Sequence, residues 1–268
     1  MDTATGLLLL KVTLTPALIG ALSLAARRFG HSVGGWLVGL PLTSGPVSVF
    51  LALEQGAGFA QAAAGGMIAG ITAVAVFGLV YAYVSFRVGW AGSLGVALAA
   101  FGVSAALLAQ VPLPLLPVFG GTAFVLVLAY WLLPRPGVAR VGESTPAWDI
   151  PARMVVATLV VLLLTGLAGY LGPAWTGVLS PFPVFTSVLG AFTHRHSGPE
   201  AARILLRGLM LGLFSFVSFF LVVGLLLVRY GSWTTYVLAA ATAIAMNGLT
   251  WILAARRDPQ VPTPAPEE

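Results

Sequence analysis

Long apolar runs separated by short polar connections dominate the hydropathy pattern of this chain. Each run is close to the roughly 20 residues that an α-helix needs to cross the hydrocarbon core of a bilayer. Nine runs can be counted, at about residues 5–26, 34–53, 58–86, 90–110, 113–133, 150–171, 174–193, 199–228 and 232–255. The pattern therefore predicts an all-α protein, a polytopic transmembrane helix bundle with nine spans.

Two of these runs, spans 2 and 7, are interrupted by prolines and hydroxyl side chains. The residues concerned are Pro41, Thr43, Ser44 and Ser48 in span 2, and Ser180, Pro183, Thr186 and Ser187 in span 7. Proline removes a backbone donor and clashes with the preceding turn, so neither span can be one regular helix. Irregular backbone at membrane depth is tolerated where it is buried in protein or lines a wet cavity, and paired broken segments indicate a transporter site. The hydroxyls either line that site or bond to carbonyls that the prolines leave free.

The two interrupted spans belong to an internal repeat. An offset of 142 residues, without gaps, aligns residues that have specific backbone or charge roles. Such pairs are Gly35/Gly177, Pro41/Pro183, Gly56/Gly198, Gly66/Gly208, Gly70/Gly212 and Arg87/Arg229. Four spans repeat and span 5 lies between the copies, so the second copy is upside down when span 5 crosses the membrane and parallel when it does not. The charge pattern favours the crossing, because without it the cluster of basic residues from His194 to Arg207 would lie outside. The prediction is a 4+1+4 inverted-topology repeat.

This organisation divides the chain into four parts. Residues 1–111 form the first four-helix repeat, and residues 112–149 form a linking helix and a cytoplasmic loop. Residues 150–257 form the second, inverted repeat, and residues 258–268 form a proline-containing tail that is expected to be disordered.

Composition and charge support a membrane location. The chain is 59% hydrophobic and 8% charged, whereas soluble domains carry about 25% charged residues. The net charge of +5 comes from arginines in the short connections, so it predicts orientation rather than nucleic-acid binding. Lys and Arg are enriched in cytoplasmic loops. The N-terminus is therefore expected outside and the C-terminus in the cytoplasm, with membrane lipids as partners.

The residue inventory gives no reason to expect an enzyme, a cofactor or a metal site. There are no cysteines, which excludes disulfides and thiol chemistry. No carboxylate lies well inside a span, and no hydrolase or phosphate-binding motif is present. The run His194-Arg195-His196 is predicted to be part of a solvated loop on the positively charged side.

Two basic residues lie inside apolar runs, and both have two interpretations. Lys11, the only lysine, is in span 1, and its repeat partner Arg153 is near the start of span 6. The pair either forms symmetric cationic gates for an anionic solute or a lipid phosphate, or the two side chains extend to the headgroups.

Small residues and one amide indicate helix packing. The GxxxG motifs at Gly66/Gly70 and Gly208/Gly212 either pack spans 3 and 8 inside the bundle or form a homodimer interface. Asn247, the only asparagine, is expected to form an interhelical hydrogen bond.

The second half resembles the small four-span bacterial inner-membrane proteins of the GlpM type. The shared features are Arg153 early in the first span, the run Gly177-Val178-Leu179-Ser180-Pro181-Phe182-Pro183, and the helix start Gly198-Pro199-Glu200-Ala201. The first half fits less well, because Thr43 and Gly58 depart from the pattern. The resemblance implies a bacterial inner-membrane location and an internally duplicated relative of that family.

Two functions are therefore open. The first is a secondary transporter or flippase with a midplane site between the Pro41 and Pro183 breaks, for an anionic solute or a lipid headgroup; the residues do not identify the substrate. The second is a non-transporting assembly or envelope factor, in which the prolines serve packing alone.

Overall fold

The structure is a computed structural model that describes residues 5–6, 8–9, 11–17, 20–21, 24, 39–111, 114–134 and 148–257, apart from the side chains of 149, 153, 157, 160, 185 and 254–257. Seven helices follow the described helical residues between 5 and 24. They are α1 (Ser44–Glu54), α2 (Ala57–Val84), α3 (Trp90–Leu108), α4 (Leu115–Leu132), α5 (Asp149–Leu179), α6 (Val184–Tyr230) and α7 (Ser232–Arg257). The described residues contain no strand.

Six helices, α2 to α7, are long and apolar enough to cross a membrane. Their length and composition are those of a multi-pass helical membrane protein, as the hydropathy pattern predicts. The nine predicted spans do not appear as nine separate helices within the described ranges. One reason is that α1 has 11 residues, and another is that predicted spans join across bends.

The bends occur at two glycines that precede prolines. Gly172 has φ 72° inside α5 and is followed by Pro173, and Gly198 has φ 85° inside α6 and is followed by Pro199. Glycine adopts positive φ at little cost, and proline is well suited to the first turn of the next helix. The predicted boundaries near residues 172 and 198 are therefore sharp bends between helices rather than loops.

Both predicted interruptions are breaks in the helical structure, and they share one turn geometry. The N–H of Leu42 donates to the carbonyl of Leu40, and the N–H of Val184 donates to the carbonyl of Phe182, both over 2.7 Å. A bond between residues i and i+2 defines a γ-turn. The φ of −77° and ψ of 54° at Pro183 are close to its inverse form. The two turns lie 142 residues apart.

Helices α2 and α6 form the centre of the bundle and run antiparallel. At one end, Gln61 Oε1 accepts a hydrogen bond from the backbone N–H of Val228 over 2.8 Å. At the other end, the Arg203 guanidinium donates to the carbonyl of Ala82 over 3.2 and 3.3 Å. Large side chains along both helices, such as Phe77, are fully buried between these ends.

Helix α4 lies beside α2 and runs parallel to it. The hydroxyls of Thr72 and Thr122 are 3.1 Å apart at the middle of the two helices. Towards their C-terminal ends, the Tyr83 hydroxyl donates to the carbonyl of Leu132 over 2.8 Å. Both helices therefore pass through the bundle in the same direction.

Glycines allow α2 and α6 to touch the broken segments. A Cβ built at Gly70 of α2 would lie 2.5 Å from the carbonyl oxygen of Val178 and 2.6 Å from the Pro181 ring. A Cβ built at Gly39 would overlap the backbone of Gly212 in α6. One glycine of each GxxxG motif, Gly70 and Gly212, is therefore packed inside the bundle.

Several predicted features lie outside the described residues. They are the residues around Gly35, residues 112–113, the linker at 135–147, the tail at 258–268 and the side chain of Arg153.

Candidate functional site

The two broken segments meet between α2 and α6. The Ser44 hydroxyl, at the start of α1, donates to the carbonyl of Ser180 over 2.9 Å. That carbonyl lies next to the Pro181–Pro183 break, so it has lost its helical partner. The hydroxyl of one interruption therefore satisfies a backbone acceptor of the other. Of the two roles predicted for the hydroxyls, Ser44 takes the bonding to a carbonyl that a proline leaves free, and this bond joins the two broken segments.

A cavity lies where the segments meet. Its volume is about 30 Å³, and both breaks contribute to its wall, with Leu40 and Thr43 from one and Pro183 and Thr186 from the other. Most of the remaining wall is apolar, including Phe216 of α6. A volume of this size has room for about one water molecule. The two threonines give it a polar side, but it holds no larger solute in this conformation.

The other predicted hydroxyls take different roles. The Ser48 hydroxyl is 2.8 Å from the Tyr236 hydroxyl of α7, so it fastens the first broken segment to the last helix. The hydroxyls of Ser180 and Ser187 are buried and have no hydrogen-bond partner among the described residues. A buried hydroxyl without a partner costs about 1–3 kcal/mol. Neither residue is part of the wall of the small cavity.

Lys11 forms a buried polar cluster at one end of the bundle. Its Nζ atom is 2.5 Å from Glu54 Oε1 and 2.9 Å from Thr165 Oγ1, and it lies 5.5 Å from the centre of the Phe50 ring. Its side chain is 7% exposed and that of Glu54 is 24% exposed. In this structure the ammonium is paired inside the protein instead of extending to the headgroups.

This cluster joins three segments of the chain. Lys11 belongs to the N-terminal helical residues, Glu54 ends α1 after the first break, and Thr165 lies in α5 ahead of the second break. The sequence interpretation missed Glu54 as a partner. The available signal is the charge pattern: with the N-terminus outside, the only lysine and the carboxylate that follows span 2 both lie towards the outer side.

The opposite end of the site contains a buried histidine. His194 Nδ1 is 3.2 Å from the Tyr81 hydroxyl of α2, and the rings meet edge to face at 5.9 Å. The same hydroxyl donates to the carbonyl of Gly190 over 3.3 Å. The prediction of a solvated loop was wrong for His194, because α6 continues as helix to Gly198 and turns this side chain into the bundle.

Arginines close the same end by binding helix termini. Arg203 stacks over the Phe86 ring besides bonding the carbonyl of Ala82, and Arg207 donates to the carbonyl of Leu133 over 3.2 Å. Cations are stabilised by the partial negative charge at helix C-termini. These contacts place the ends of α2 and α4 at the level of the bend at Gly198.

Other predicted contacts are absent from the described part of the chain. Asn247 is buried, but its Oδ1 accepts no hydrogen bond there, so the expected interhelical bond through this atom is not formed. The described residues contain no group of three His, Asp or Glu side chains that could hold a metal.

Comparison with known proteins identifies no relative. No family model, no curated protein and no solved structure matches this chain. The similarity to GlpM-type proteins therefore stays an expectation from the sequence motifs, and the function must be inferred from the site itself.

Proposed function

We propose that this chain is a secondary transporter or flippase of the bacterial inner membrane, with its site where the Pro41 and Pro183 breaks meet. One observation carries the proposal: two proline-broken segments, far apart in sequence, join beside a small cavity between the central helices. Broken helices that meet inside a bundle are the usual construction of a midplane substrate site in transporters.

We infer a nine-span, 4+1+4 inverted repeat as the framework of this site. Contacts that exchange under the 142-residue offset support it. The offset pairs Gln61 with Arg203 and Phe86 with Val228. The contact between Gln61 and Val228 at one end of the two helices therefore corresponds to the contact between Arg203 and Phe86 at the other end. Two helices related by an in-plane two-fold axis that touch at that axis run antiparallel, as α2 and α6 do. In a parallel repeat, the two equivalent contacts would lie at the same end of the bundle.

The outer helices of the two proposed repeats support the same framework. The buried positions of α3 are Ser93, Ala97, Phe101 and Ala105. The offset maps them onto Thr235, Ala239, Ala243 and Asn247 of α7, which are all buried. Both helices thus present the same register to the bundle.

The direction of α4 supports the crossing of span 5. Helix α4 lies parallel to α2 from the middle of α2 to its C-terminal end. It therefore starts at the end of the bundle where α3 stops, and it finishes at the opposite end. A single additional crossing between two four-span units inverts the second unit.

Clusters of polar side chains lie at both ends of the proposed site. The Lys11–Glu54 pair with Thr165 lies at the end that the charge pattern assigns to the outside. The Tyr81–His194 contact and Arg203 lie at the other end. Transport then requires one of these clusters to separate, since the small cavity between them admits no solute while both are formed.

The alternative is an assembly or envelope factor without transport, and the mainly apolar wall of the small cavity favours it. Purified protein in proteoliposomes separates the two functions. The probes are a panel of small organic anions, read as charge movement on a supported membrane, and a fluorescent phospholipid, read as flipping.

A transporter gives a signal with at least one probe. Thr43→Phe, which places a ring in the cavity, should reduce it by about ten-fold or more. Gly95→Leu, on an open face of α3 with nothing near its Cβ, serves as the matched control. Equal signals in wild type and Thr43→Phe would contradict the proposed site, and no signal with any probe would favour the alternative.

A further inference from the structure

A second and larger cavity lies outside the site described above. It has a volume of about 200 Å³ and is bounded by α2, the end of α3, α4 and the part of α5 that follows the bend at Gly172. Every side chain in its wall is apolar. Apolar cavities of about 150 Å³ stay dry and accept small hydrocarbons, so this space is suited to hydrocarbon rather than to water.

The cavity extends from the surface into the core. Ala62, Val111 and Ala174 form its mouth and are exposed, whereas Ala69 and Val178 form its floor and are buried. Pro173 beside the mouth lacks an N–H, so backbone carbonyls of the preceding turn are left without their helical donor. The space is therefore an open-ended apolar slot with polar backbone at its entrance.

The sequence of the other half carries larger residues at the positions that match the wall of this cavity. In the proposed repeat, the offset of 142 residues pairs Ala62 with Ile204, Gly65 with Arg207 and Ala69 with Leu211. Arg207 extends to α4 and bonds the carbonyl of Leu133. The half with the cavity carries small residues where the other half carries large ones.

We propose that this cavity binds one acyl chain of a membrane phospholipid. Every side chain in the wall is apolar, so an acyl chain that enters the cavity gains van der Waals contacts in a space that would otherwise be empty. The floor residue Val178 lies two residues ahead of Ser180, whose carbonyl joins the two breaks. A bound chain therefore packs directly against the second broken segment.

Native mass spectrometry of the full-length protein, purified in a mild detergent, tests this site. Wild type should retain one phospholipid per chain. Gly65→Leu should reduce the retained fraction by about ten-fold or more, because a Cβ at Gly65 has no neighbour closer than 4.0 Å and the leucine fills the slot. Gly95→Leu is the control and should retain lipid as wild type does.

Three outcomes would overturn the proposal: wild type without bound phospholipid, detergent in place of phospholipid in wild type, and equal retention in Gly65→Leu. If Gly65→Leu does not yield a monodisperse protein, Ala62→Leu at the exposed mouth decides between the same outcomes. The comparison with the second half uses the repeat from the proposed function, but retention is measured without any flux. A failure of transport and a failure of lipid binding are therefore distinguishable.

Discussion

At the scale of single residues, the two partners of the Lys11–Glu54 pair differ in how far they are enclosed by the protein. The lysine is almost fully enclosed, whereas about a quarter of the glutamate side chain reaches the surface. Removing one partner of a buried pair is expensive when the remaining charge cannot regain water. The two single substitutions should therefore differ.

We expect Glu54→Gln to lower the free energy of unfolding by about 3 kcal/mol, because it leaves the Lys11 ammonium enclosed without a counter-charge. Lys11→Met should cost less, about 1–2 kcal/mol, since Glu54 can rehydrate. Thermal unfolding of the detergent-solubilised variants measures the order. A larger loss in Lys11→Met than in Glu54→Gln would contradict the enclosed position of the lysine.

Sequence reasoning identified Lys11 at this scale but not its surroundings. A lone lysine in an apolar run indicates a special residue, yet its partner comes from a segment 43 residues away, and no local pattern specifies that distance. His194 was misassigned for a related reason. Its neighbours Arg195 and His196 suggest a solvated loop, whereas packing against Tyr81 determines its position.

At the scale of helices and breaks, close contact between glycines and broken segments holds the site together. The Cβ positions at Gly39 and Gly70 are occupied by backbone or proline atoms of another segment. The atoms that face these two Cβ positions belong to backbone or to a proline ring, so they cannot move aside as a flexible side chain would. Close approach of this kind is a common basis of helix association in membranes.

Gly70→Ala and Gly39→Ala should each lower the free energy of unfolding by about 1–3 kcal/mol through overpacking. Gly65→Ala, five residues before Gly70 on the same helix, should be neutral or slightly stabilising because its Cβ has space and alanine favours helix. Thermal unfolding in detergent compares the three. A loss at Gly65 equal to that at Gly70 would show that helix context, not contact, determines the effect.

The elements were largely predictable from the sequence because their signals are local. Hydropathy gave the apolar helices, and Pro41 and Pro183 gave the breaks. The joining of spans 7 and 8 into one helical run could not be read in the same way. Gly198-Pro199 looks like a helix start, and the positive φ at Gly198 lets that start follow the previous helix directly.

At the scale of the whole molecule, the central claim is that the second half is the first half turned upside down. The sequence supplies the offset, and the contacts between opposite ends of α2 and α6 support the inversion. The orientation in the membrane is inferred from the charge pattern. A chain without cysteine is well suited to a direct test.

The most direct measurement is thiol labelling of Arg87→Cys and Arg229→Cys, each introduced alone, in intact cells. Both side chains are exposed, and they occupy equivalent positions of the two halves. We predict that a membrane-impermeant reagent labels position 229 in intact cells and position 87 only after permeabilisation. Labelling of both positions from the same side of the membrane would contradict the inverted repeat.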